Sequence, residues 1–248
     1  VIVLLWSWLR GIRVFERDGT LWPGLLAGLL FAIEFALIFV GLQYTTAARG
    51  VIFLYTAPFF VALGAVWLLP QETMRRAQWA GMALAFAGVL VLFGDGVVSS
   101  ADSAWIGDLM ILLGAVFWAA TTLTVKATCL GRSSAEKTLL YQLGVSALML
   151  PALSRALGEP GLFAPGLLVW TSLLFQTVIV AGVSYLGWFW LVRHYPATRL
   201  STFSFLTPVM GVLAGGLLLG ETLSRAVFVA LALVGTGIAV GNWPARRR

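Results

Sequence analysis

Charge is scarce in this chain. Of its 248 residues only 10% are Asp, Glu, Lys or Arg, 60% are hydrophobic, and the mean hydropathy is +0.96. A soluble domain carries about 25% charged residues, which keep its surface hydrated. The shortfall excludes a cytosolic or secreted enzyme. Cysteine and histidine are rarer still, with Cys129 and His194 each standing alone. An internal disulfide, a cysteine cage and a multi-histidine zinc site are thereby excluded, so neither a metal nor a cofactor is expected. Acidic residues are the scarcer sign, 10 against 16 basic, giving a net charge of +6 and a pI near 10.1. In a soluble protein that excess suggests a nucleic-acid partner. Here the basic residues lie between apolar runs and form no patch, so they read as an orientation signal and no nucleic acid is expected.

Long uncharged apolar sequence is abundant. A helix needs about 20 residues to cross about 30 Å of hydrocarbon, so this length allows at most about ten spans and no sizeable extramembrane domain. The runs place spans at 22–43, 51–69, 79–97 and 105–125, then at 139–157, 167–192, 200–219 and 226–242. Residues 1–9 are apolar but too short to span, and no basic flank marks them as a signal peptide. They read as the cut end of another helix, with sequence missing upstream. Trp22, Trp79, Trp105 and Trp243 fall at span ends, where an aromatic belt belongs. The expectation is an all-α integral membrane protein, eight full spans plus a remnant, with the lipid bilayer as its surroundings.

Orientation follows from the basic residues. With Arg246, Arg247 and Arg248 in the cytoplasm, alternation puts Arg10, Arg13, Arg17, Arg75, Arg76, Lys126, Arg132, Lys137, Arg193 and Arg199 there too. That is 13 of the 16 basic residues. Arg49, Arg155 and Arg225 remain outside, with Asp95, Asp102 and Asp108. The positive-inside rule therefore predicts a cytoplasmic C-terminus in the cell inner membrane.

The chain also resembles itself. Tyr44-Thr45-Thr46-Ala47-Ala48-Arg49-Gly50, then Phe53-Leu54-Tyr55-Thr56-Ala57-Pro58, is followed by Glu72. Later come His194-Tyr195-Pro196-Ala197-Thr198-Arg199-Leu200, then Phe203-Ser204-Phe205-Leu206-Thr207-Pro208, then Glu221. Arg49 and Arg199 differ by 150 positions, as do Pro58 and Pro208; Glu72 and Glu221, and Gly88 and Gly237, differ by 149. The spans holding the two prolines are five apart. Five is odd, so equivalent helices run in opposite directions, an arrangement of transporters with a site near the bilayer midplane. The two repeats are placed at 1–97 and 105–242.

This pattern of a small-residue and arginine helix start, a mid-helix proline, a Gly-Glu or Gln-Glu turn and a glycine-spaced final helix resembles the EamA-type family of the drug/metabolite transporter (DMT) superfamily. The resemblance covers essentially the whole chain and is best at 41–90 and 192–240. It implies ten helices in two inverted five-helix repeats, both termini cytoplasmic, and movement of small metabolites, often amino acids and frequently outward. The chain departs from the pattern in lacking the first helix and most of the second.

Several intramembrane groups are candidates for the site. Glu34 lies near the centre of its span, where a charged side chain costs about 2.5–3.5 kcal/mol and must face protein or water. Two readings stay open: a ligand for a substrate amine or a proton relay, and a structural glutamate bonded to a neighbouring helix. Its equivalent in the second repeat is Ser184. Pro58 and Pro208 each free the carbonyl four residues back, at Leu54 and Ser204, and are candidate hinges. Tyr55, Trp118, Gln142, Gln176, Tyr185, Trp188 and Phe205 are the remaining candidate substrate contacts, although each could instead glue helices together. Gly182-Val183-Ser184 with His194 offers a weak protease motif. Ten residues of helix separate Ser184 and His194 by about 15 Å, too far for a catalytic pair. No catalytic residue is expected.

The expectation is a carrier exporting amino acids or related amphipathic compounds by alternating access, with a proton as the coupling ion open to Glu34. An uptake permease of the same fold and a channel are the alternatives. Substrate, direction and oligomeric state are not fixed by the sequence.

Overall fold

The computed structural model describes residues 1–69, 71–94, 103–159, 161, 165–219 and 224–243. Asp95, Asp102, Glu221 and Arg246 to Arg248, which carry part of the repeat and orientation readings, lie outside the described residues. The described chain is helical: α1 (Ile2–Leu9), α2 (Leu21–Gly41), α3 (Ala47–Leu54), α4 (Ala57–Leu68), α5 (Arg76–Phe93), α6 (Ala104–Ala127), α7 (Ala135–Ala156), α8 (Leu167–Phe175), α9 (Tyr185–His194), α10 (Ala197–Ser204), α11 (Leu206–Leu219) and α12 (Arg225–Asn242). A wider π-helical stretch, Gln176–Ser184, joins α8 to α9 in one rod.

Among the described residues, seven helical segments are long and apolar enough to cross a membrane. The eighth expected span, 139–157, falls in α7, which has 22 residues. Its length suffices, but Glu136, Lys137, Gln142, Ser146 and Arg155 make it too polar to qualify on composition. The exposed leucines, valines and tryptophans along the other helices are what hydrocarbon solvates in a bilayer.

The chain folds into two compact units. The first holds Val1–Ala36 and Thr124–Tyr195; the second holds Leu37–Leu123 and Pro196–Arg248. In the first unit α2 lies directly on α7. A Cβ on Gly28 would sit 2.7 Å from the Tyr141 carbonyl oxygen, and one on Gly24 would strike the Tyr141 ring. Only glycine admits so close an approach. The N-terminus of α7 is held by Ser134, whose Oγ accepts from Lys137 N at 3.2 Å.

In the second unit α5 and α12 meet backbone to backbone, where a Cβ on Gly81 would lie 2.4 Å from the Gly237 carbonyl oxygen. Met82, Ala85, Val89, Ala230 and Val234 fill that seam and continue into Tyr55, Phe205 and Val209.

Two spans of this unit are broken in the same way. Residues 55–56 interrupt α3 and α4, and Phe205 interrupts α10 and α11. Pro58 and Pro208 stand in the first turn of the segment after each break, where a missing amide is tolerated. The preceding helices end at Leu54 and Ser204, the residues whose carbonyls the prolines cannot bond.

Candidate functional site

In the first unit most of the buried polar side chains lie on α2 and α7. Glu34 is 6% exposed, Gln142 is fully enclosed, and Ser146, one turn further along α7, is 8% exposed. Among the described residues, the buried side-chain atoms without a hydrogen-bond partner are Glu34 Oε2, Gln142 Nε2 and Oε1, and Ser146 Oγ. Leaving a buried polar group unpaired costs about 1–3 kcal/mol. Four such atoms in one unit point to a place that accepts a polar guest or water.

An aromatic wall stands beside Glu34. Phe31 packs against Phe35 at 4.7 Å between ring centroids and edge-on against Tyr185 at 5.6 Å; Tyr185 continues to Phe189 at 6.4 Å. Tyr185 lies within electrostatic reach of Glu34. Trp188 is half-buried on α9. Gln176 stands apart: it is exposed, and its amide reaches Ser172 Oγ at 3.5 Å.

At the other end of α7 a polar chain is complete. Lys137 Nζ donates to the Glu16 carbonyl at 2.7 Å and to Asp18 Oδ1 at 2.8 Å. Thr20 Oγ1 donates to Asp18 at 2.6 Å and meets the Tyr141 hydroxyl at 3.2 Å. The Lys137 bond, and after it the Thr20 bond, holds the Asp18 carboxyl down at about 2. A groove of about 890 Å3 opens here, lined mainly by apolar groups such as Leu4, Phe15, Leu21 and Leu140.

The remaining candidates belong to the second unit. Phe205 is fully buried and Tyr55 is 8% exposed. Their rings lie 6.2 Å apart in a cluster with Phe59 and Phe86. The structure therefore places Phe205 within packed core. Trp118 is half-buried on α6.

Two polar contacts of this unit escaped sequence reasoning, although their residues had been noted. Glu72, which follows α4, accepts from Ala197 N at 3.0 Å and Thr198 N at 3.1 Å, in the first turn of α10. Arg49, at the start of α3, pairs with Asp108 on α6; its Nε lies 3.1 Å from both carboxylate oxygens, and Thr45 adds a bond at 2.8 Å. Arg49 stands in the first turn of the segment Ala47–Leu68 and Glu72 just beyond its end, so these contacts tie its two ends. Ser146 was missed altogether, although its place four residues after Gln142 in an uncharged run was a readable signal.

The weak protease motif does not assemble. Ser184 Oγ donates to the Val180 carbonyl at 2.6 Å, and His194 Nδ1 lies 2.7 Å from the Trp190 carbonyl, with its ring over Trp190. Each side chain is engaged on its own helix.

The model of the EamA-like transporter family matches residues 1–94 and 105–243. The chain belongs to the EamA-like transporter family. An uncharacterised transporter of Archaeoglobus fulgidus is 26% identical over 213 residues, covering 84% of this chain and 71% of its own length. A probable amino-acid metabolite efflux pump of Salmonella typhimurium is 28% identical over 226 residues, covering 87% of this chain and 74% of its own. A solved crystal structure matches with a TM-score of 0.84 at 24% identity, covering 98% of this chain and 84% of that one, and shows the same fold. This EamA-like chain is thus a multi-pass membrane transporter.

Proposed function

We propose that this EamA-like transporter exports amino acids or related amphipathic metabolites by alternating access, from an inner membrane with its C-terminus in the cytoplasm. The observation that carries the reading is Glu34, a carboxylate at mid-span with an oxygen that no protein group satisfies, beside the aromatic wall of Phe31 and Tyr185. A carboxylate there offers a counter-charge to a substrate ammonium, and the rings offer an apolar surface to its side chain. Gln142 supplies both a donor and an acceptor. The 13 to 3 division of basic residues supports the orientation. Relatives named as probable amino-acid metabolite efflux pumps support the substrate class and the direction.

In this reading Pro58 and Pro208 mark hinges, because both spans are interrupted at equivalent places in inverted repeats at 1–97 and 105–242. Trp188 would extend the substrate surface of the first unit, and Tyr55, Trp118 and Phe205 would shape the moving parts of the second. Uptake by the same machinery is the alternative.

The test is mass spectrometry of the medium around cells expressing wild type, Glu34→Gln or neither. Export predicts that one class of amino compound accumulates outside wild-type cells only. Equal release by wild type and Glu34→Gln would remove Glu34 from the mechanism. Depletion of such compounds from the medium would reverse the direction.

A further inference from the structure

The unpartnered polar atoms of the first unit and the bonded chain at the Asp18 end share one helix, α7. The side chains of Gln142 and Ser146 stand one turn apart. Tyr141, adjacent to Gln142, is already bonded through Thr20 to Asp18, whose side chain is 38% exposed. The packing register of α2 on α7 locates Glu34 relative to them. Gly24 meets Tyr141, and Gly28 meets Tyr141 and Val145, so the helices run parallel with level positions 117 apart. Ser146 is therefore level with position 29, and Glu34 stands five residues, or about 7.5 Å, further along the axis. One or two water molecules bridge such a gap once the two side chains reach toward each other.

We infer that the first unit contains a proton pathway joining Glu34 to the aqueous phase at the Asp18 end through Ser146, Gln142, Tyr141 and Thr20. The inference rests on the carrier reading and deepens it by naming the coupling ion and the side from which Glu34 exchanges it. The hydroxyls of Ser146, Tyr141 and Thr20 each donate and accept, so they pass a proton along bridging water without a net change. The Gln142 amide orders that water and carries no proton itself. A proton arriving from the aqueous phase adds to a Glu34 carboxylate oxygen to give the neutral acid. The same proton later returns to water, leaving the carboxylate. The titratable groups on the packed faces of α7 and α9 are Lys137, Tyr141 and Tyr185. Lys137 is engaged by Asp18, and both tyrosines enter through their hydroxyls. That leaves Glu34 as the group that changes charge.

The test uses the whole protein in liposomes, followed by infrared difference spectroscopy after a pH jump and after transfer to heavy water. The protonated-carboxyl band that vanishes in Glu34→Gln reports Glu34. In Gln142→Leu combined with Ser146→Ala, exchange at Glu34 is expected to slow by about tenfold or more, the factor that follows when one hydrogen-bonded step is lost from a barrier. Tyr141→Phe should slow it as well. Melting curves control for folding, and Gln142→Leu should melt no lower than wild type because it removes an unpaired buried amide. Unchanged exchange in the folded double variant overturns the pathway, as does a wild-type Glu34 that shows no exchange. Counterflow of a labelled mixture of neutral amino acids, run without a pH gradient, reads the carrier separately. Its retention in Tyr141→Phe with slow Glu34 exchange supports the pathway. Its absence in wild type, whatever Glu34 does, defeats the carrier reading instead.

Discussion

Replacing Glu72 by alanine should loosen the start of a helix 125 positions away. Helix α10 begins after Pro196, which offers no side-chain cap. Its first amides instead donate to the two oxygens of Glu72, at 3.0 and 3.1 Å. Losing a cap costs about 0.5–2 kcal/mol, and losing a negative charge beside a helix N-terminus costs about 0.3–1 kcal/mol more. Glu72 is only half-buried, so water recovers part of this, and a net loss of about 2 kcal/mol is expected. For a chain of this size each kcal/mol moves the midpoint by about 2–4 °C, so Glu72→Ala should melt roughly 4–8 °C lower. Glu72→Gln keeps one acceptor and should lose about half as much. Tryptophan fluorescence during heating in detergent reads all of these proteins. Adding Pro196→Ser to Glu72→Ala supplies a local cap and should recover about 1 kcal/mol. A Glu72→Ala protein melting together with wild type would refute the reasoning.

Four further outcomes are expected. Gly81→Ala drives a methyl group to 2.4 Å from the Gly237 carbonyl oxygen, so it should destabilise the protein by about 1–3 kcal/mol through overpacking, read as a lower melting midpoint. Asp108→Asn removes the charge from the partly buried pair with Arg49 and should cost about 1–2 kcal/mol; an unchanged melt would show the pair to be dispensable. Pro58→Ala and Pro208→Ala should slow exchange of labelled substrate in vesicles while leaving its binding intact, and wild-type rates in both would make the breaks architectural. Asp18 is held at about 2 against an ordinary 3.8, so its contribution to stability is complete above 3.8 and disappears as pH falls through about 2. The midpoint gap between wild type and Asp18→Asn should close over that window, and a gap that persists below it would contradict the assignment.

The spans were legible because the bilayer imposes one requirement, a long uncharged run, and such runs need no knowledge of neighbours. The breaks near Tyr55 and Phe205 were legible too, since proline acts through its own backbone. Helix α7 was placed at 139–157 from its apolar run alone; what allows its polar residues is packing against α2, a non-local fact. The π-helical turn at Gln176–Ser184 has no proline to announce it. Glu34 and Gln142 could be picked out as polar residues in apolar surroundings. That Glu72 meets Ala197, or Arg49 meets Asp108, could not, because the partners are 125 and 59 positions apart. The division into compact units was equally hidden, since each is assembled from two separate stretches of the chain.

That division has a consequence for biosynthesis. The second unit is assembled from Leu37–Leu123 and Pro196–Arg248, with Thr124–Tyr195 made in between. At about 5–20 residues per second, translation of the intervening stretch takes about 4–14 s. Throughout that interval Glu72 has been synthesised but the helix start it caps has not. The nascent first half therefore carries an acceptor with no donor until Ala197 and Thr198 are made, and a chain released before Ala197 cannot close the second unit.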